Sequence, residues 1–271
     1  MTDDGLGRGG PIKGDDAPGY VAFTFDDGPH PDWTPRVLAT LAAYDVHATF
    51  FIVARQVWGL DHPRRRQELA AIAAAGHDIG NHTWSHARLT TVSAAERVRQ
   101  IDLAGAVIGW VIGRPVTMLR PPYGASGWDL RRLLHARGLT EVGWSLDPKD
   151  WAAKTPQALR RTVIDAIERA GGGVLVLHDD KWITATALPG ILDDLERHNC
   201  ARTAAGRAPI LPVSLHYFLH RPVPVAVAAR TQGYLDGLTA RCAARASEAA
   251  ARGAVASGGP EAGVDNHTTA H

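Results

Sequence analysis

Two adjacent carboxylates, Asp26 and Asp27, follow the apolar run Tyr20–Phe25 and precede Gly28-Pro29. Neighbouring like charges repel unless a cation or another partner relieves them. Along a strand the two would face opposite ways, whereas at a strand end bent by Gly-Pro both reach one site. Alone, the pair reads equally as a solvated Asp-Gly turn. Further on, Asn81-His82-Thr83-Trp84-Ser85-His86 sets two imidazoles four residues apart. On a helical turn such a pair shares a face and can grip one ion, although by itself the spacing is no better than surface coincidence. Joined by the Asp27 carboxylate, the imidazoles make a donor set suited to catalytic Zn2+ with a position left for water. Co2+ or Ni2+ would bind such a set similarly.

Three further clusters stand near apolar runs. Arg120-Pro121-Pro122-Tyr123-Gly124 has a backbone fixed by two prolines, so Arg120 can be aimed and the Tyr123 amide presented rigidly, or the segment is a stiff loop with a surface arginine. Asp147-Pro148-Lys149-Asp150-Trp151 comes shortly after Trp144, and Leu175-Val176-Leu177 runs into His178-Asp179. A lone histidine at a strand end is more often structural than catalytic.

The elements that must carry these groups alternate. Strands are expected at Tyr20–Phe25, Ala48–Val53, His77–Gly80, Val116–Leu119, Thr140–Trp144, Gly173–Leu177 and Ile210–Val213. Helical patterns fill the intervals at Thr34–Tyr44, Pro63–Ala75, Ser93–Gly109, Gly127–Arg137, Pro156–Ala170 and Thr186–His198. Ser93 with Glu96 forms a capping box, and Gly138 is placed to end the helix before it. This alternation implies an α/β fold whose parallel sheet is covered by helices, either open or closed, and seven strands favour a barrel. In such folds the groups that act on ligands sit just past the C-terminal strand ends, where all five clusters fall. Residues 1–19 read as a flexible leader and 20–224 as the α/β domain. An Ala/Arg-rich helix is expected over 225–252 and a disordered tail over 253–271, and His267 and His271 in that tail are given no metal role.

Composition narrows the function. The 271 residues carry 29 Lys plus Arg against 28 Asp plus Glu, a net charge of +1, which argues against a nucleic-acid or acidic-lipid surface. No apolar run approaches the roughly 18 residues of a membrane span. Cys200 and Cys242 stand in no metal-like spacing, which excludes a disulfide scaffold or zinc finger and leaves open whether the two ever pair. Met1-Thr2-Asp3-Asp4-Gly5 lacks the pattern of a secretory signal. A cytoplasmic location is expected as written, and a secreted one if the true N-terminus is missing. Oligomeric state is not legible.

Taken in order, and with the connecting Ala48-Thr49-Phe50-Phe51 and Ala75-Gly76-His77-Asp78-Ile79-Gly80, the five clusters resemble the polysaccharide deacetylases, the NodB-homology domain of carbohydrate esterase family four. The likeness runs from about Val21 to Val213. It implies a distorted (β/α) barrel of about seven parallel strands and a divalent-metal hydrolase that removes acetyl groups from N-acetylated sugars, with Asp27, His82 and His86 as ligands and Asp26 as general base oriented by Arg120. It further implies that the Tyr123 amide helps to hold an oxyanion, that His178 is the general acid tuned by Asp150, and that Trp151 and Leu177 wall the acetyl methyl, Leu177 reading equally as plain core. Asp147 receives no role.

These roles are chemically coherent. An unreactive amide needs a polarising ion and an activated water, and an oxyanion donor contributes about 2.7–4 kcal/mol. An amine leaves only when protonated. The alternatives are O-acetyl ester hydrolysis with the same machinery and a non-catalytic glycan-binding module. Trp182 follows His178 where relatives often have glycine, and is expected either to overhang the site or to pack on the rim. Trp58, Trp84 and Trp128 are candidates for stacking on sugar faces.

Overall fold

The computed structural model describes residues 10–59, 62–220 and 222–257. Seven parallel strands, β1 (Tyr20–Asp26), β2 (Ala48–Ile52), β3 (Asp78–Asn81), β4 (Met118–Leu119), β5 (Thr140–Glu141), β6 (Gly173–His178) and β7 (Leu211–Pro212), alternate with helices. These are α1 (Thr34–Ala43), α2 (Pro63–Ala74), α3 (Ala94–Ile112), α4 (Trp128–His135), α5 (Pro156–Ala170) and α6 (Trp182–Ala204). The short α7 (His216–Leu219), which no periodicity announces, and a long α8 (Val225–Ser257) follow. The sheet order is β5-β4-β3-β2-β1-β6, with β7 against the start of β1.

The central strands read as unbroken apolar runs because both faces of the curled sheet are buried, the outer one under helices. Along β1 every residue after Tyr20 is buried, and along β2 every residue is. Phe25 of β1 stacks on Phe50 of β2 with ring centroids 5.1 Å apart. Helix ends follow their local chemistry. Thr155 accepts a hydrogen bond from the Ala158 amide ahead of Pro156, and Gly171 closes α5 at φ 72°. Only half of the capping box forms. Ser93 Oγ accepts from the Glu96 amide at 3.2 Å, but the Glu96 carboxylate is drawn to Arg99 and Gln100 instead of the Ser93 amide.

Residues 11–13 depart from the expected leader. The Ile12 amide donates to Glu141 O (3.1 Å), the Gly143 amide to Ile12 O (2.8 Å) and the Val174 amide to Lys13 O (3.0 Å). The segment is therefore wedged between the chain leaving β5 and β6, the two ends of the sheet, and Leu146 bridges Leu175 beside it. The sheet curls into a barrel through this wedge. Residues 1–9 and 258–271 of the expected leader and tail lie outside the described residues. The terminal helix runs five residues past its expected end, and a disulfide joins its Cys242 to Cys200 of α6.

Candidate active site

Strands β1 and β6 pair so that Asp26 lies opposite His178. This single register places the first carboxylate beside the last histidine, 152 residues along the chain. Asp27 follows with φ 71°, a left-handed backbone that turns its side chain out of the strand alternation. Among the described residues six non-glycine residues have positive φ. Asp27, Thr83, His86, Tyr123 and Lys149 lie in the loops of the candidate site, and Asp45 is the sixth. Such concentration of backbone strain is a mark of functional sites.

His82 and His86 do not share a helical turn, contrary to the sequence reading. They lie on a loop leaving β3, with Thr83 at φ 72° and His86 at φ 60°. Tertiary bonds shape that loop. Asn81 Oδ1 accepts from the Thr83 amide (2.7 Å), and Gln100 of α3 accepts from the amides of Trp84 through its backbone oxygen and Ser85 through its side chain, both at 2.9 Å.

The two imidazoles converge on Asp27 regardless. Its Oδ1 is 3.6 Å from His82 Nε2 and 3.3 Å from His86 Nε2, and all three atoms lie within 4.8 Å of one another. His82 Nδ1 faces the Arg120 carbonyl at 2.7 Å, which fixes the tautomer and leaves Nε2 with a lone pair. Burial keeps that ring neutral against the pull of Asp27, its pKa pushed down to about 3. The buried Asp27 Oδ1 has no hydrogen-bond partner. An orphaned carboxylate oxygen facing two imidazole nitrogens fits a divalent ion of the zinc type.

Asp26 is 3% exposed, and its Oδ1 accepts from Arg120 Nη1 at 2.7 Å. Arg120 is wholly buried, bonds Thr24 Oγ1 (2.7 Å) and Gly143 O (2.8 Å), and lies over the Phe51 ring. These contacts leave the guanidinium one orientation and fix the Asp26 carboxylate with it.

Opposite, Asp150 accepts from His178 Nδ1 (2.7 Å), the His178 amide (2.7 Å), the Trp151 amide (3.0 Å) and Thr184 Oγ1 (2.6 Å). Burial opposes a charge on His178, but its hydrogen bond to Asp150 and the fields of Asp150, Asp26 and Asp27 raise its pKa to about 9. The imidazole is therefore an acid at neutral pH.

A cavity of about 460 Å³ joins these groups, lined among others by Asp26, Asp27, His82, His86, Tyr123 and His178. Its apolar wall separates the two readings of Leu177. Strand alternation puts Val176 and His178 on the cavity side and sends Leu177, fully buried, into the main core. Trp151 does line the cavity, with Trp144, and Asp147 lines it too while accepting from the Lys149 amide. Tyr123 contributes something sequence did not suggest, since its hydroxyl lies 3.1 Å from His86 Nδ1 and its ring packs under Arg88.

Thr184 went unread because it opens α6, which starts four residues earlier than its pattern indicated. Trp58 packs edge-on to Trp84, Trp128 carries the Arg132 guanidinium, and Trp182 is half exposed. None of these four tryptophans lines the cavity.

A family model for polysaccharide deacetylases matches residues 13–142. The peptidoglycan-N-acetylmuramic acid deacetylase PdaC of Bacillus subtilis (strain 168) is 33% identical over 177 residues, 65% of this chain and 35% of PdaC. The chain thus spans about a third of the length of that relative. The chitooligosaccharide deacetylase of Sinorhizobium fredii is 35% identical over 170 residues, 62% of this chain and 75% of the relative. The solved structure of the Bacillus subtilis PdaC deacetylase superposes with a TM-score of 0.57 at 31% identity, covering 66% of this chain and 84% of that one.

Proposed function

The chain belongs to the polysaccharide deacetylase family, and from that premise we propose that it removes acetyl groups from the nitrogen of N-acetylglucosamine-containing glycans with the help of a divalent ion, Zn2+ by its donor set. Asp27, His82 and His86 would hold the ion. When bound, it supplies Lewis-acid polarisation of the acetamide carbonyl and lowers the pKa of water. Everything else falls to the protein. Asp26, locked by Arg120, accepts the proton that the attacking water gives up. The rigid Arg120–Tyr123 segment presents the Tyr123 amide towards the developing oxyanion. His178, held protonated by Asp150, donates its proton to the departing amine, and that nitrogen cannot leave without it. Val176, Trp144 and Trp151 provide the apolar surface for the acetyl methyl.

The observation that carries this reading is the unpartnered Asp27 Oδ1 facing two imidazole nitrogens beside a separately anchored second carboxylate. Acetate release from N-acetylglucosamine oligomers, with and without chelator and with added Zn2+, tests it. Wild type is expected to release acetate, chelator to abolish release, and Asp26→Asn to lose it with Zn2+ present. Release from acetyl esters but not acetamides overturns the assigned bond, and release from neither favours a binding module.

The Cys200–Cys242 bridge supports an oxidising site of action, since such bonds persist outside reducing compartments. It weighs for the secreted alternative of the two locations read from the sequence.

A further inference from the structure

The turn that carries Asp27 is held from outside by two bonds: the Val53 amide donates to Gly28 O (3.3 Å) and Arg65 Nη1 to Pro29 O (2.6 Å). From inside it meets one group that the proposed chemistry does not use. Asp179, the residue after His178, is fully buried, and its Oδ2 accepts from Thr34 Oγ1. That hydroxyl oxygen accepts in turn from the His30 amide at 2.8 Å, so carboxyl, hydroxyl and amide form a chain across the turn. The carboxyl also lies flat against Gly28, where a Cβ would overlap both of its oxygens. Its Oδ1 has no partner. A buried carboxyl with one hydrogen bond is a costly filler for a core, and apolar side chains of the same size would serve packing better.

We infer that Asp179 is a positioning residue for Asp27, bracing the turn between β1 and α1 so that the Asp27 carboxylate is held towards His82 and His86. This rests on the proposed ligand role of Asp27. A non-glycine residue at φ 71° persists only where its surroundings over-determine it. Here the surroundings are Gly28, which no larger residue can replace, and the Asp179–Thr34–His30 chain. Because Asp179 directly follows His178, the same strand end that presents the acid also sets the ligand turn, and the two halves of the site stay in register.

The test is Zn2+ affinity, measured by calorimetry on the folded protein with Zn2+ alone and no substrate. Asp179→Ala is expected to bind Zn2+ roughly 10- to 100-fold more weakly, the usual loss when a supporting group outside the ligand set is removed. Asp179→Asn keeps the shape and the Thr34 bond and is expected to retain most of the affinity. Thr34→Val, which cuts the chain without changing the carboxyl, is expected to weaken binding and decides the matter if Asp179→Ala does not fold. Ile167→Ala, in the core of α5, lowers stability without touching the turn and is expected to leave Zn2+ affinity alone. Asp179→Ala binding as tightly as wild type overturns the inference, as does an equal loss in Ile167→Ala. A wild type that binds no Zn2+ overturns the ligand assignment itself, which separates the two failures.

Discussion

Replacing Asp150 by asparagine isolates what holds the acid in its working form. The wild-type carboxylate is 1% exposed and accepts four hydrogen bonds, two of them from His178. Asparagine keeps the volume and one acceptor oxygen but removes the charge and the hydrogen bond to a charged partner, the causes that lift His178 to about 9. Burial, which lowers that pKa, is then opposed only by Asp26 and Asp27, and the imidazole is expected to fall from about 9 towards its ordinary 6.5 or below. At pH 8 the protonated fraction drops from about nine-tenths to about 3%, so acetate release falls by about 30-fold at that pH, with a smaller loss at pH 6.

The sign follows from the direction of the shift. Protonated His178 is the active form, so the alkaline limb of the rate profile falls as pH rises through its pKa, and in the variant it must move towards neutral pH. The same shift stabilises the fold fully below pH 6.5, an increment lost as pH rises through about 9 in wild type and missing in the variant. The amide also orphans a neighbouring donor, at about 1–3 kcal/mol of stability. The profile of initial rates against pH is therefore the decisive readout, because a pure loss of folded protein scales all rates together. NMR titration of the His178 ring gives the pKa directly. An alkaline limb that stays near its wild-type position in Asp150→Asn refutes the assignment of His178 as the acid tuned by Asp150.

Zn2+ at a hundred times its dissociation constant is expected to stabilise wild type by about 2.7 kcal/mol in thermal scans, and Asp27→Asn to abolish that gain. Arg120→Met removes the partner of a buried carboxylate and is expected to cost about 3–5 kcal/mol in denaturant titrations. Replacing Cys200 and Cys242 by serine opens a link across a sequence separation of 42, which the loop-entropy relation values at about 4 kcal/mol. The folded fraction should keep its kcat/KM, since neither cysteine lines the catalytic cavity. Deleting residues 1–14 removes the three backbone wedge bonds and a fourth from Ser145 Oγ to Lys13 O, and is expected to lower stability by about 4 kcal/mol in the same titrations, whereas deleting 1–9 leaves those bonds in place.

Much of the scaffold was legible because buried parallel strands appear in sequence as plain apolar runs. The observed β1, β2, β3 and β6 begin and end within a residue of the runs that announced them. The chemistry was legible for a related reason: each polar cluster interrupts such a run or closely follows one. What escaped depends on contacts distant in sequence. Ile12 pairs through a single isolated bridge to Val142, too short to leave a period. The His82–His86 loop takes its shape from Gln100, on the next helix, so spacing alone suggested a helical turn. The pattern starts a helix at Thr186, but burial of Ile183, Leu188 and Ile191 carries α6 through Pro189 from Trp182 onward and brings Thr184 onto Asp150. Leu177 reads from sequence as wall or core, and strand alternation decides for core, since a strand that aims His178 at the cavity must aim its neighbour away.

The left-handed residues around the cavity bear on how this protein can be engineered. Each of Asp27, Thr83, His86, Tyr123 and Lys149 occupies a conformation that glycine adopts at little steric cost. A campaign that rewards only yield or heat resistance will find its easiest gains there, and at Asp27, His86 and Tyr123 it would exchange groups that line the cavity for backbone comfort. Libraries built to harden the molecule should therefore leave those five codons fixed and draw on the helical exterior instead.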